Sequence, residues 1–289
     1  MGTVSKAFAA AAGLLLAVGL LMVCSASMTS RPTERETVYL ARQGMFLVVA
    51  LMSGGLASLV PLAVWRRSAT WLFGGTLLLL VIVLVPGIGT TVNGASRWLR
   101  LGQLTVQPSE IAKLTLPLFV CWLAADGGWK AVSFARFLGM LIPAAFACGL
   151  VLLEPDLGTA LFLAGLTAIA LFQCGWPIYR FLLMLAALLP LGGGLLVLRP
   201  YQLARVQGFI AAWHDVREAP YQVRQSLTAL GSGGLWGTGL GLGEQKLSFL
   251  PEANTDFVFA VIGEELGLVG PLSVIALWVA FYGCGLRAL

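Results

Sequence analysis

The chain has 289 residues, 58% of them apolar and only 11% charged, whereas an ordinary soluble domain is about a quarter charged. A soluble fold of this length could not bury so much apolar surface, and disorder or a disulfide scaffold needs the opposite composition. The formal charge of +5 does not mark a nucleic-acid binder, because the basic residues stand singly between apolar stretches, the pattern that orients a bilayer protein.

A transmembrane helix needs about 20 mostly apolar residues. In chain order the sequence predicts eight spans: Ala7 to Met28, Met45 to Val64, Ala69 to Val85, Ile111 to Ala125, Phe137 to Leu153, Leu157 to Cys174, Phe181 to Leu198 and Phe257 to Gly285. The first follows Lys6 and is read as an uncleaved anchor. The expected fold is therefore an all-α polytopic membrane protein, one integral-membrane domain over residues 1–289 with a large extracytoplasmic loop at 199–255. That loop interleaves Tyr201, Phe209, Trp213, Tyr221, Trp236 and Phe249 with charges, which predicts a folded cap partly laid on the membrane surface. With the amino terminus inside, the inner segments hold Lys6, Arg66, Arg67, Lys130, Arg136, Arg180 and Arg287 against Asp126 alone. The positive-inside rule favours that orientation, with both ends cytoplasmic.

Ionisable residues beside or within apolar spans are costly and default to functional candidates. Asn93-Gly94 reads as a turn, Pro108-Ser109 as a helix start, and Glu110 with Lys113 as a pair on one helix face. Arg97, Arg100 and Lys113 are either local ion-pair partners or an anion site for phosphates, which call for several point charges and bidentate donors. In Glu154-Pro155-Asp156-Leu157-Gly158-Thr159, Asp156 is expected to cap the following helix, while Glu154 ends an apolar run and is expected to line a polar cavity. The run Gly231 to Gly243 matches no nucleotide-binding pattern and suits backbone that is flexible or tightly packed near a substrate path. Asp256 opens the last span and is either its N-cap or a general base at the membrane surface. Glu264 lies deeper, and of Glu264 and Glu265, which point about 100° apart, at least one is expected to face the interior. The single His214 and the cysteines Cys24, Cys121, Cys148, Cys174 and Cys284 lack metal-site spacing.

Five motifs occur in order: Asn93-Gly94-Ala95-Ser96-Arg97-Trp98, Gln107-Pro108-Ser109-Glu110-Ile111-Ala112-Lys113, Glu154 to Thr159, Gln225 to Leu235, and Leu250-Pro251-Glu252-Ala253-Asn254-Thr255-Asp256-Phe257. Together they resemble the SEDS family (shape, elongation, division and sporulation), to which FtsW, RodA and SpoVE belong. The resemblance implies a peptidoglycan glycosyltransferase that polymerises lipid II, an undecaprenyl-pyrophosphate-linked donor, by inverting transfer on the outer face of the bacterial cytoplasmic membrane. It implies Asp256 as the catalytic residue, with Glu110 and Lys113 in the polar cavity and Arg97 near its mouth; Arg100, Glu154 and Glu264 join them as substrate-binding candidates on their charge and position beside the spans. The implied partners are a class B penicillin-binding protein acting as transpeptidase, together with divisome or elongasome proteins. A divalent cation, Mg2+ or Mn2+, is the one cofactor the chemistry would accommodate, with no ligands assigned. Leu250-Pro251-Glu252-Ala253 leans toward the division branch. A lipid II flippase and a non-catalytic scaffold for a transpeptidase stand as alternatives. The chain departs from the family in carrying Asn254 where His is usual. It also lacks the signature of the last two of ten helices, so a carboxy-terminally incomplete domain is expected.

Overall fold

A computed structural model describes residues 2–27, 34–92, 95–102, 104–125, 134–182, 185–186, 194, 200–247 and 249–288. The chain divides into two compact units, one formed by Met1–Gly55 with Leu195–Leu289 and the other by Leu56–Gly194. The expected helical polytopic class holds. Five helices among the described residues are long and apolar enough to cross a membrane: Thr3–Ser27, Ala41–Leu59, Leu62–Val83, Pro108–Ala125 and Val269–Arg287. Two shorter apolar stretches, Gly139–Leu153 and Leu157–Gln173, fall on two further expected spans. The seventh expected span, Phe181 to Leu198, lies mostly outside the described residues, as does the turn at Asn93-Gly94.

The second unit holds α3 (Leu62–Val83), α4 (Pro108–Ala125), α5 (Phe134–Leu153) and α6 (Leu157–Gln173). Their buried faces meet in one core that includes Phe73, Leu80, Leu116, Val120, Met140, Leu163 and Leu171. Small residues at the helix contacts, Ala112, Ala144, Ala147 and Ala160, let the backbones approach, which matters where lipid offers no hydrophobic drive to associate. Phe73 of α3 stacks on Phe119 of α4 with centroids 4.6 Å apart. Within this apolar contact Thr115 donates to the Thr76 hydroxyl at 3.0 Å and Thr76 to the Leu72 carbonyl at 2.8 Å. Each buried hydroxyl is thus satisfied.

Between α3 and α4 lies a feature absent from the sequence expectation, a three-stranded antiparallel sheet of β1 (Gly89–Val92), β2 (Ala95–Leu101) and β3 (Leu104–Val106), in the order β1-β2-β3. Gly102, at φ +65°, turns β2 into β3. A seven-residue strand carrying two arginines has no apolar alternation to announce it. α4 begins at Pro108, as expected of a proline at a first helical position.

The first unit holds α1 (Thr3–Ser27), α2 (Glu34–Leu59) through residue 55, α7 (Pro200–His214), α8 (Tyr221–Ser232), α9 (Val258–Leu266) and α10 (Val269–Ala288), with short 3-10 turns at Val216–Glu218 and Gln245–Leu247. Residues 200–232, inside the expected loop, are thus largely helical. Phe8 near the start of α1 stacks on Phe281 near the end of α10 at 4.5 Å. At the opposite end of α1, Met22 and Ala26 join Ala260, Val261 and Ile262 of α9 in a second core. α1 therefore runs antiparallel to α10.

The eighth expected span is corrected. Phe257 to Gly285 is not one helix but α9 and α10, broken at Gly267, whose φ is +64°. A Cβ at Gly267 would overlap the Leu235 carbonyl, and the freed Leu268 N–H donates to the Gly234 carbonyl at 2.9 Å. Apolar residues continue on both sides of the break, so hydropathy alone passes over it.

Candidate functional site

In the second unit the strand geometry decides what the arginines do. Successive side chains of a strand leave on opposite faces. Leu99 of β2 is buried while Arg100 is exposed, and a bulge at Arg97, where the pairing with β1 passes from Trp98 directly to Ser96, interrupts the alternation there. Arg97 reaches the turn between α5 and α6. Its Nε donates to the Glu154 carbonyl at 3.1 Å, its Nη2 to the Pro155 carbonyl at 2.5 Å, and its Nη1 lies 3.5 Å from Asp156 Oδ2. Arg97 is thus engaged by the 154–156 turn, while Arg100 is exposed.

Asp156 caps α6 as expected, accepting from the Thr159 N–H at 3.1 Å and the Thr159 hydroxyl at 3.0 Å. Glu154 is fully buried, and neither of its carboxylate oxygens has a hydrogen-bond partner among the described residues. Burial, reinforced by the neighbouring Asp156 charge and opposed by Arg97, pushes its carboxyl up to about 8. The expectation that it lines an open polar cavity gives way to a carboxyl enclosed in the turn beyond α5. Glu110 and Lys113 pair as expected, Nζ to Oε1 at 2.6 Å across one turn of α4. The Lys113 ammonium also sits 5.2 Å from the centroid of the Phe162 ring. Both partners keep solvent access, as does Arg100.

In the first unit, Asp256 ends a hydrogen-bonded turn. The N–H groups of Thr255 and Phe257 both donate to the Glu252 carbonyl, at 3.1 and 3.2 Å. The N-cap position of α9 belongs to Phe257, which makes no side-chain cap bond. Asp256 is therefore not the cap that its position suggested. Its side chain is exposed, and no group among the described residues bonds its carboxylate. An uncapped, unpaired carboxylate at the mouth of a helix is free to take a proton from something else.

Glu264 and Glu265 both face inward, and the structure gives them tasks the sequence reading missed. Glu264, expected to meet substrate, is buried and its Oε1 accepts from the N–H groups of Glu244 and Gln245 at 2.7 and 3.0 Å. It braces backbone instead. Glu265 accepts from Lys246 Nζ at 2.6 Å on one oxygen, and from the Ser25 hydroxyl at 2.6 Å and the Gly241 N–H at 3.0 Å on the other. Lys246 also donates to the Ser25 carbonyl at 3.0 Å. Neither Lys246 nor Ser25 stood out in the sequence, since a lone lysine in a polar loop and a serine near a helix end are unremarked there. The Gly-rich run is packed backbone, one of the two expected readings. Cβ atoms at Gly233 and Gly237 would overlap the carbonyls of Gly263 and Glu265. The N–H groups of Thr238 and Gly239 donate to the carbonyls of Glu264 and Glu265 at 2.9 and 3.0 Å.

Among the described residues no three His, Cys, Asp or Glu side chains are grouped so as to hold a metal ion. These side chains alone do not fit a resident Mg2+ or Mn2+.

The apolar helices, the exposed carboxylate and the cations at helix ends define a multi-pass helical membrane protein whose polar chemistry lies at the ends of its spans. The chain belongs to the family of cell cycle proteins that comprises FtsW, RodA and SpoVE, matching it over residues 5–289. It is 41% identical over 267 residues to a probable peptidoglycan glycosyltransferase FtsW of Thioalkalivibrio sulfidiphilus, an alignment covering 91% of this chain and 67% of the relative. It is 43% identical to the protein of the same name in Allochromatium vinosum (92% and 67%) and 38% identical to that of Escherichia coli O6:H1 (93% and 64%). The chain spans about two thirds of the length of these relatives. Among solved structures, it resembles one from work on the structural coordination of polymerization and crosslinking by a peptidoglycan synthase complex. There the TM-score is 0.73 at 28% identity, over 95% of this chain and 75% of the other. It also resembles the rod shape determining protein RodA of Thermus thermophilus, with a TM-score of 0.64 at 28% identity over 96% and 72% of the two chains.

Proposed function

We propose that the protein is a peptidoglycan glycosyltransferase that polymerises lipid II on the outer face of the bacterial cytoplasmic membrane during cell division, its amino terminus on the cytoplasmic side. The observation that carries this reading is the exposed Asp256 carboxylate, which does not cap α9 and has no partner among the described residues, in a chain whose relatives are named probable peptidoglycan glycosyltransferases. In the proposed inverting transfer, the Asp256 carboxylate takes the proton of the acceptor sugar hydroxyl. The freed oxygen attacks the anomeric carbon of the donor, and the bond to undecaprenyl pyrophosphate breaks with its electron pair leaving on the phosphate. In the second unit by itself, Arg100 and Lys113 are solvent-accessible cations of the type that suits an anionic phosphate group. Arg97 serves them by holding the 154–156 turn. A Mg2+ or Mn2+ ion, if used, would arrive on the pyrophosphate with one or two protein carboxylates at most, and no step here depends on it. The coordinated polymerization and crosslinking of the structurally similar complex supports a crosslinking partner, a class B penicillin-binding protein, and the FtsW names of the relatives support the division setting.

The test is a gel assay for glycan polymer from labelled lipid II, with the purified protein and its transpeptidase, comparing wild type and Asp256→Asn. The variant should fold normally and lose roughly 100- to 10,000-fold in rate. Polymer from both proteins would remove Asp256 from the mechanism. No polymer from folded wild type would turn attention to lipid movement without polymerisation, or to scaffolding.

A further inference from the structure

Resting on the assignment of Asp256 as the reacting carboxylate, we infer that Lys246, Glu265 and Ser25 form a buried clamp that positions it. The two charged members are closed off from substrate. The Lys246 and Glu265 side chains are 1% and 0% exposed, and Ser25 is buried at the end of α1. They are positioning residues, acting through the backbone that carries Asp256.

The stretch after the 3-10 turn Gln245–Leu247, described over residues 249–257, is fastened at both ends to one short helix. At its start, Glu264 of α9 takes the Glu244 and Gln245 N–H groups, and Glu265 takes the Lys246 ammonium. At its end, the chain runs directly into α9 through Phe257. Adjacent residues of α9 thus hold the loop's entry, one by backbone and one by side chain. The clamp closes on a third element through Ser25, whose carbonyl and hydroxyl both accept from Lys246, at 3.0 and 3.3 Å, and whose hydroxyl donates to Glu265. All three ammonium protons have acceptors, and both Glu265 oxygens are occupied, so this buried network is fully satisfied.

Between the fastened ends the loop carries a strained residue. Glu252 has φ +52°, a left-handed conformation that a non-glycine side chain keeps only where its surroundings over-determine it. Its carbonyl accepts from Thr255 and Phe257, the neighbours of Asp256. Leu250 and Ala253 sink into the core with Met22 and Ala260, while Asp256 stays outside. A buried ion pair is a poor source of stability compared with apolar residues of the same size. What this one supplies is a fixed origin for the Asp256 loop, and a displacement of about 1 Å can cost roughly 100-fold in rate.

The double variant Lys246→Met/Glu265→Leu tests this, because it removes both charges together and leaves no lone buried ion. If the network only supported folding, melting temperature and activity would return together. The clamp predicts instead a melting temperature near wild type, kcat in the polymer assay reduced about 10- to 100-fold with KM little changed, and faster amide hydrogen exchange confined to residues 247–257. Wild-type kcat, or unchanged exchange in that segment, overturns it. Should the double variant not fold, Ser25→Ala keeps the ion pair and deletes one hydroxyl. It should lower kcat about fivefold, the worth of one hydrogen bond, and quicken exchange in the same segment, and wild-type values for both would overturn the clamp. Asp256→Asn run alongside separates the two ideas. An active Asp256→Asn defeats the mechanism itself, whereas an inactive one beside a fully active double variant defeats only the clamp.

Discussion

Replacing Arg97 by Met should cost about 2–4 kcal/mol of stability, and replacing it by Lys should recover little of that. Arg97 donates to two backbone carbonyls, those of Glu154 and Pro155, and hydrogen bonds from a charged donor contribute about 1.5–3 kcal/mol each. Its approach to Asp156 at 3.5 Å, with a third of the arginine side chain exposed, adds less than about 1 kcal/mol. The contributions overlap because one guanidinium makes them all, so the total falls short of their sum. A lysine ammonium cannot span two carbonyls and a carboxylate as the planar fork does. The loss also withdraws the one nearby positive charge that opposes protonation of Glu154. Equilibrium unfolding in detergent, followed by circular dichroism for wild type, Arg97→Met and Arg97→Lys, measures the difference. A cost below about 1 kcal/mol for Arg97→Met, or full stability in Arg97→Lys, would refute the bracing role and restore Arg97 as a free anion ligand.

Glu154 predicts a pH dependence of definite sign. Its carboxyl titrates near 8 in the fold against 4.5 when unperturbed, so the folded state binds the extra proton between those values and stability falls as pH rises from about 5 to 8. Glu154→Gln should flatten that slope and be the more stable protein at pH 9, and an unchanged slope in the variant would show that another group sets it. In the Gly-rich run, Gly237 and Gly241 both have φ +81°, but a Cβ at Gly237 would overlap the Glu265 backbone while Gly241 faces open space. Gly241→Ala should cost about 1–2 kcal/mol for the left-handed backbone alone, and Gly237→Ala roughly 2–5 kcal/mol once overpacking is added. Equal melting temperatures for the two variants would contradict the close packing.

The membrane class and most of the spans were legible because hydropathy over some 20 residues averages out local detail. What hydropathy cannot see is a change of backbone that leaves composition alone. The break at Gly267 sits between Leu266 and Leu268, so the apolar run reads as continuous, while the reason for the break, the Leu235 carbonyl against Gly267, is more than thirty residues away in the chain. The sheet at residues 89–106 escaped for the opposite reason. β2 sets Trp98, Leu99 and Leu101 among two arginines without alternation, and its register is set by pairing with β1 and β3.

The same distinction explains the site. Asp156 capping α6 and Glu110 pairing with Lys113 span three residues each, and sequence spacing is enough to find them. Arg97 meeting residues 154–156, and Ser25 meeting Lys246 and Glu265, join positions 57 and 221 or more apart, and no local pattern encodes such meetings. Charge type alone therefore sorted these groups wrongly. Arg97 and Glu264 looked like ligands and are braces, and Asp256 looked most like a cap and is not one. The carboxylates that the fold has already committed hold backbone in place. Asp256 is exposed, and no group among the described residues bonds its carboxylate, so the fold has given it no such task.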